Sequence, residues 1–125
     1  MNISEVMTKE LITCGPDDTL AQVAQRLRNE DIGSCPVVDQ ENLVGIVTDR
    51  DITTRAVAKG LDVNSTRVRD IMTTNLVTGS PDMSLEDACE LMSDNQIRRL
   101  PIVQANNLVG IVALADLATN ATGRA

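Results

Sequence analysis

Apolar residues recur along this chain with two different periods, and the way the periods alternate outlines a unit that occurs twice. Leu20, Val23, Ala24 and Leu27 follow the i, i+3, i+4, i+7 spacing of one helix face. Thr19 precedes them with Gln22 three residues on, a capping-box arrangement. Before that helix, Leu11 to Cys14 reads as a short strand closed by Gly15-Pro16. After it, Pro36 opens a strand through Val38, Asp39 to Asn42 is a turn, and Leu43 to Val47 is a buried strand rich in β-branched residues. A second helix is expected from near Asp49 towards Lys59, with Gly60 as its stop. The unit is strand, helix, strand, strand, helix.

Shifted by 65 residues, the second half repeats this pattern without a gap. Met7-Thr8 meets Met72-Thr73, Pro16-Asp17 meets Pro81-Asp82, and Pro36-Val37-Val38 meets Pro101-Ile102-Val103. Asn42 to Val47 recurs letter for letter as Asn107 to Val112, and Asp51 meets Asp116. The helix face returns as Leu85, Ala88, Cys89 and Met92 behind Ser84, whose partner Asp87 completes a capping box less well than Gln does. The predicted fold class is α/β, two pseudo-symmetric βαββα units: residues 1–60, a linker at 61–67 carrying Asp62, Asn64 and Ser65, and residues 68–125. One unit is too small for a comfortable core, so the two are expected to pack sheet to sheet and fold as one body.

Composition narrows the chemistry. The chain of 125 residues has a net charge of −7 and no histidine, phenylalanine, tyrosine or tryptophan. Its core must be aliphatic. The acidic balance disfavours nucleic acid, and the lack of aromatics removes base-stacking platforms. Histidine-based acid–base catalysis and Cys/His zinc sites are excluded by residue type, and the chain is expected to be non-catalytic without a metal. The polar start, Met1 to Glu10, is no signal peptide, and the longest apolar run, Leu108 to Ala115, is too short for a bilayer. No membrane association is expected. Cys14, Cys35 and Cys89 show no paired spacing and read as reduced structural thiols of a cytoplasmic protein, Cys89 on the apolar helix face.

The segment from Gly45 to Ile52 leaves a buried strand and enters a helix carrying Thr48, Asp49, Arg50 and Asp51. Thr48 could simply cap the helix while the carboxylates complement its dipole. Alternatively, an aspartate here could accept two ribose hydroxyls beside helix N–H groups suited to phosphate. Arg98-Arg99, entering the later strand, read equally as a solvated edge or an anion contact.

The Met-Thr start, the Pro-Asp before a helix, the Pro-Val-Val and Leu-Val-Gly-Ile-Val strands, and Thr48 three residues before Asp51-Ile52 together resemble the CBS domain, named for cystathionine β-synthase. The resemblance runs from about Ile3 to Leu117 and occurs twice. It implies a CBS domain pair that senses an adenosine-type ligand, AMP, ADP, ATP or S-adenosylmethionine, in clefts between the repeats, with no obligatory cofactor. It implies that Asp51 and Asp116 hold ribose and that Thr48 contacts ribose or phosphate. Adenine would lie against Thr73, Asn75, Leu76 and Val77 with Ile97 and Arg98 for the Asp51 cleft. For the Asp116 cleft it would lie against Thr8 to Ile12 with Ile32 and Gly33. Arg50, Arg98 and Arg99 could reach phosphate. The second repeat departs from the pattern: Ala113-Leu114-Ala115 replace Thr48-Asp49-Arg50, which puts binding in that cleft in doubt. Exposed aliphatics such as Val57 and Leu117 suggest a homodimer. Because little chain lies outside the repeats, the signal is expected to pass to an unknown effector protein. A scaffold with non-binding clefts is the rival reading.

Overall fold

The computed structural model describes residues 1–121. They form two compact units whose boundaries do not coincide with the repeats. The first unit is Ile12–Leu76; the second joins Met1–Leu11 to the chain from Val77 onward. Each unit therefore takes the leading segment of the other repeat.

In the first unit, helix α1 (Leu20–Glu30) is followed by strands β1 (Ser34–Asp39) and β2 (Asn42–Thr48), an antiparallel hairpin with Cys35 opposite Val47 and Ser34 opposite Thr48. Thr19 caps α1 as its sequence requires: its hydroxyl accepts from Gln22 N at 3.2 Å and its own N–H donates to Gln22 Oε1 at 2.8 Å. The remaining early amides of α1 are also satisfied, because Leu20 N reaches Thr66 O at 3.1 Å and Ala21 N reaches Val63 O at 2.9 Å. Residues 61–67, expected as a linker, thus close over the start of α1. Further on, Val68 N donates to Asp18 O and Arg69 N to Pro16 O, and Thr73 exchanges both backbone bonds with Ile46 of β2 at 2.9 and 3.0 Å. Met72 lies over Gly45, where an added Cβ would stand 2.6 Å from its sulfur.

The second unit repeats this arrangement with α3 (Leu85–Asp94), β3 (Arg99–Gln104), β4 (Asn107–Ala113) and α4 (Leu114–Ala121). Ile3 N and Ser4 N donate to Met83 O and Pro81 O, Thr8 exchanges bonds with Ile111, and Met7 lies over Gly110. Three sequence signatures, the Met-Thr start, the Pro-Asp loop and the glycine of the long strand, are thereby parts of one contact. Ser84 caps α3 by accepting from Asp87 N, and Asp87 returns no side-chain bond to it.

Several expectations change. Leu11 to Cys14 is no full strand; it contributes a single parallel bridge, Cys14 to Val37, matched by Gly79 to Ile102. Ala24 is exposed and Cys89 half-buried, because the buried stripes are narrower than the apolar spacing: Leu20, Val23 and Leu27 on α1, and Leu85, Ala88 and Met92 on α3. Val57 is 59% exposed as expected, whereas Leu117 is fully buried in the second core. The helix after β2 starts at Asp49 but keeps α geometry only over Asp49–Asp51 (α2), continuing as a π-helix over Ile52–Val57. Thr53 and Thr54 donate their hydroxyls to the carbonyls of Asp49 and Arg50, four residues back. That back-bonding occupies acceptors of the ordinary ladder and favours the wider turn, seen where Ala58 N reaches Thr53 O. Gly60, at φ 75°, ends the segment.

Candidate functional site

The strand-to-helix junction of the first unit is built by reciprocal bonds. Thr48, in extended geometry, accepts from Asp51 N through Oγ1 at 3.0 Å, and its N–H donates to Asp51 Oδ2 at 3.0 Å. The capping reading of Thr48 is thus realised, and Asp51 completes the box. This use does not exhaust either group. The Thr48 hydroxyl keeps a proton to donate, and the second carboxylate oxygen of Asp51 has acceptor capacity left. That oxygen, Oδ1, lies 3.7 Å from Arg55 Nε, and the Asp51 side chain is only 15% exposed. Arg55 is itself anchored, donating to Ile71 O at 3.1 Å.

The surroundings of this junction come from three places in the first unit. Gly33 O accepts from Asp49 N at 3.0 Å, so Ile32-Gly33 borders the start of α2. Thr73 is paired to Ile46, two residues before Thr48, and leads into exposed Asn75 and half-buried Leu76. Ile12, exposed at the surface, accepts the Cys35 thiol on its carbonyl at 3.5 Å. Arg50 and Asp49 are exposed. Of the expected binding residues, Ile12, Thr48, Arg50, Asp51, Thr73, Asn75 and Leu76 therefore belong to the first unit, and Val77, Ile97, Arg98, Arg99 and Asp116 to the second. There Arg98 O accepts from Leu114 N at 2.8 Å, the counterpart of the Gly33–Asp49 bond. Arg98, Arg99 and Asp116 are exposed, while Ile97 is half-buried against the core.

The sequence reading missed a hollow of about 350 Å³ in the first unit, lined by Ala24, Leu27, Arg28, Ile32, Asp49, Ile52 and Thr53. The signal was present in Ala24: a small residue on an apolar stripe left the helix surface open beside the π-helix. No helix among the described residues is long and apolar enough to cross a membrane.

Comparison with known proteins agrees with this geometry. The CBS domain family profile matches residues 3–58 and again 68–122. The chain is 50% identical over 119 residues to the CBS domain-containing protein YhcV of Bacillus subtilis, covering 95% of this chain and 84% of that protein. Among solved structures it is similar to Hypoxic Response Protein I with two coordinated zinc ions, at 31% identity and a TM-score of 0.87, covering 96% of this chain and 98% of the other. It is also similar to the CBS domain pair of protein MJ0100 in complex with 5′-methylthioadenosine and S-adenosyl-L-methionine. That match has 29% identity and a TM-score of 0.83, covering 98% of this chain and 97% of the other. The zinc does not carry over: this chain has no histidine, and among the described residues no three His, Cys, Asp or Glu side chains gather to hold a metal ion. The chain belongs to the CBS domain family, as a tandem pair of CBS domains in an α/β fold.

Proposed function

CBS domain pairs are regulatory modules. We propose that this one is a non-catalytic cytoplasmic sensor of an adenosine-type ligand (AMP, ADP, ATP or S-adenosylmethionine), with its main site at the Thr48–Asp51 junction. The observation that carries the reading is the reciprocal cap. It fixes a half-buried carboxylate and a hydroxyl at the mouth of a strand-to-helix turn before any ligand arrives. Such preorganisation lowers the ordering cost of binding. Asp51 is suited to the ribose hydroxyls, Thr48 to ribose or phosphate, and the Thr73–Leu76 segment to the base. The complex of the MJ0100 pair with two adenosine compounds supports the ligand class.

The second reading, a scaffold whose sites bind nothing, draws support from Ala113, Leu114 and Ala115 in the second unit. A thermal-shift panel of AMP, ADP, ATP and S-adenosylmethionine separates the two. A ligand at about 100 times its Kd stabilises the folded state by roughly 2.7 kcal/mol. No shift with any of them selects the scaffold. The output passes to a separate effector protein or to self-association. Val57 and Leu61, 59% and 41% exposed, support a homodimer, for which light scattering at micromolar concentration should return twice the chain mass.

A further inference from the structure

We propose that Cys14 and Cys35 form a redox site: a dithiol in the core of the first unit that a hydroperoxide converts to an intramolecular disulfide. The backbone brings the two residues together. Cys14 bridges in parallel to Val37, donating from N to Pro36 O at 3.0 Å and accepting from Val38 N at 2.8 Å. Cys35 stands two residues before Val37, hence on the same face of β1. The Cys14 and Cys35 sulfurs lie 3.7 and 3.8 Å from the Pro36 carbonyl oxygen and within hydrogen-bonding reach of one another.

The second unit confirms the alignment independently. Gly79 occupies the place of Cys14 and bridges to Ile102, while Leu100 occupies the place of Cys35. A Cβ built on Gly79 would stand 2.9 Å from Leu100 Cδ2, so the two positions point at each other. A glycine and a leucine fill the space there. In the first unit the same space is filled by two thiols.

The thiols are not equivalent. Cys14 donates a hydrogen bond to Cys35, which holds the Cys35 thiol below its ordinary pKa; the same bond, with burial, pushes Cys14 up. Cys35 is therefore the nucleophile and Cys14 the resolving group. The Cys35 thiolate attacks one peroxide oxygen, the O–O bond breaks, and hydroxide leaves to take up the thiol proton as water. The Cys14 sulfur then attacks the sulfenic sulfur. The S–S bond forms, hydroxide is expelled and it takes the Cys14 proton as a second water. Two electrons pass from the sulfurs to the peroxide. With Cys35 fully buried and Cys14 4% exposed, a small uncharged oxidant is favoured over a peptide disulfide. Half-buried Cys89, in the other unit, serves as an internal control.

The test treats the full chain and its Cys89→Ser variant with hydrogen peroxide, then alkylates the free thiols after denaturation and reads intact mass and proteolytic peptides. Both proteins should lose two alkylatable thiols, give a cross-linked pair of peptides containing Cys14 and Cys35, and regain both thiols on reduction. Oxidation should raise their melting temperature by several degrees through loop closure around α1. Cys35→Ala should lose the cross-link and the rise. Should that variant not fold, the peptide map of the Cys89→Ser protein decides alone. Persistence of free Cys14 and Cys35, over-oxidation of Cys35 without a bond to Cys14, or a bond made only through Cys89 would each overturn the proposal.

Discussion

The same six letters, Asn-Leu-Val-Gly-Ile-Val, lead into two different junctions. In the first unit β2 runs into Thr48, whose hydroxyl and amide are both engaged with Asp51. In the second, β4 runs into Ala113, which has no side-chain oxygen to offer, and α4 opens with Leu114, 38% exposed. Everything that holds the frame is duplicated: the methionine over glycine, the Pro carbonyl that accepts an amide, and the paired threonine. The polar groups at the junction are not. Frame and site are therefore separable in this chain, and each can be perturbed without the other.

The largest effect tests the frame. A fragment of residues 1–59 holds one whole repeat yet lacks Val63 and Thr66 over α1, Met72 over Gly45, and the buried Val68 and Ile71. Residues 12–76 contain all of these. Circular dichroism during heating should show no cooperative transition for the first fragment and a cooperative one for the second. A cooperative fragment of residues 1–59 would mean that the exchanged segments are decoration.

Next comes the site. Asp51→Ala removes a held carboxylate; a hydrogen bond to a charged group is worth about 1.5–3 kcal/mol, which corresponds to roughly 10- to 100-fold in Kd. Asp116→Ala, at a junction without the threonine, should change affinity less than about twofold, within 0.5 kcal/mol. Calorimetry with the ligand found in the thermal-shift panel compares them. Equal losses would dissolve the asymmetry between the junctions.

How far the sequence reached is plain from particular residues. Thr19 with Gln22, the two hairpins and the core leucines were legible because each depends on neighbours within a few positions. The exchange of leading segments was not, because a repeat read along the chain says nothing about which copy a methionine covers. The π-helix escaped for a related reason: Thr53 and Thr54 choose between solvent and the carbonyls four residues back only once the turn has formed. Cys14 and Cys35 gave no spacing motif, since a parallel bridge rather than a turn unites them. At the site, Thr48 and Asp51 were visible as a pair, and the structure adds that each is the other's cap.

A smaller effect sharpens the role of that cap. Thr48→Ala deletes the N-cap oxygen and should cost about 0.5–2 kcal/mol of stability. The reciprocal change, Ala113→Thr, offers a cap where none is encoded, with Asp116 three residues on as in the first unit. It should recover part of that amount, read as a shift in the urea midpoint at constant slope. A neutral Thr48→Ala would show that the bonds between Thr48 and Asp51 add nothing to the fold and exist for the ligand alone.

The smallest expected difference lies in the hairpin turns. Both cross with two residues at positive φ: Gln40 at 51° and Glu41 at 74° in the first unit, Ala105 at 51° and Asn106 at 69° in the second. These are the angles of a type I′ turn, whose twist matches that of the paired strands. Its second position favours glycine, tolerates asparagine, and penalises a side chain such as glutamate, whose Cβ crowds the backbone in this region. Glu41→Gly should therefore stabilise the chain by about 0.5–1 kcal/mol, the relieved strain exceeding the entropy that glycine adds to the unfolded state. Asn106→Gly should gain less, because asparagine already adopts the conformation at low cost. Urea denaturation of the two variants side by side reads the comparison directly. Equal gains would mean that the two turns carry the same strain, and that the first unit does not accept a poorer turn residue than the second.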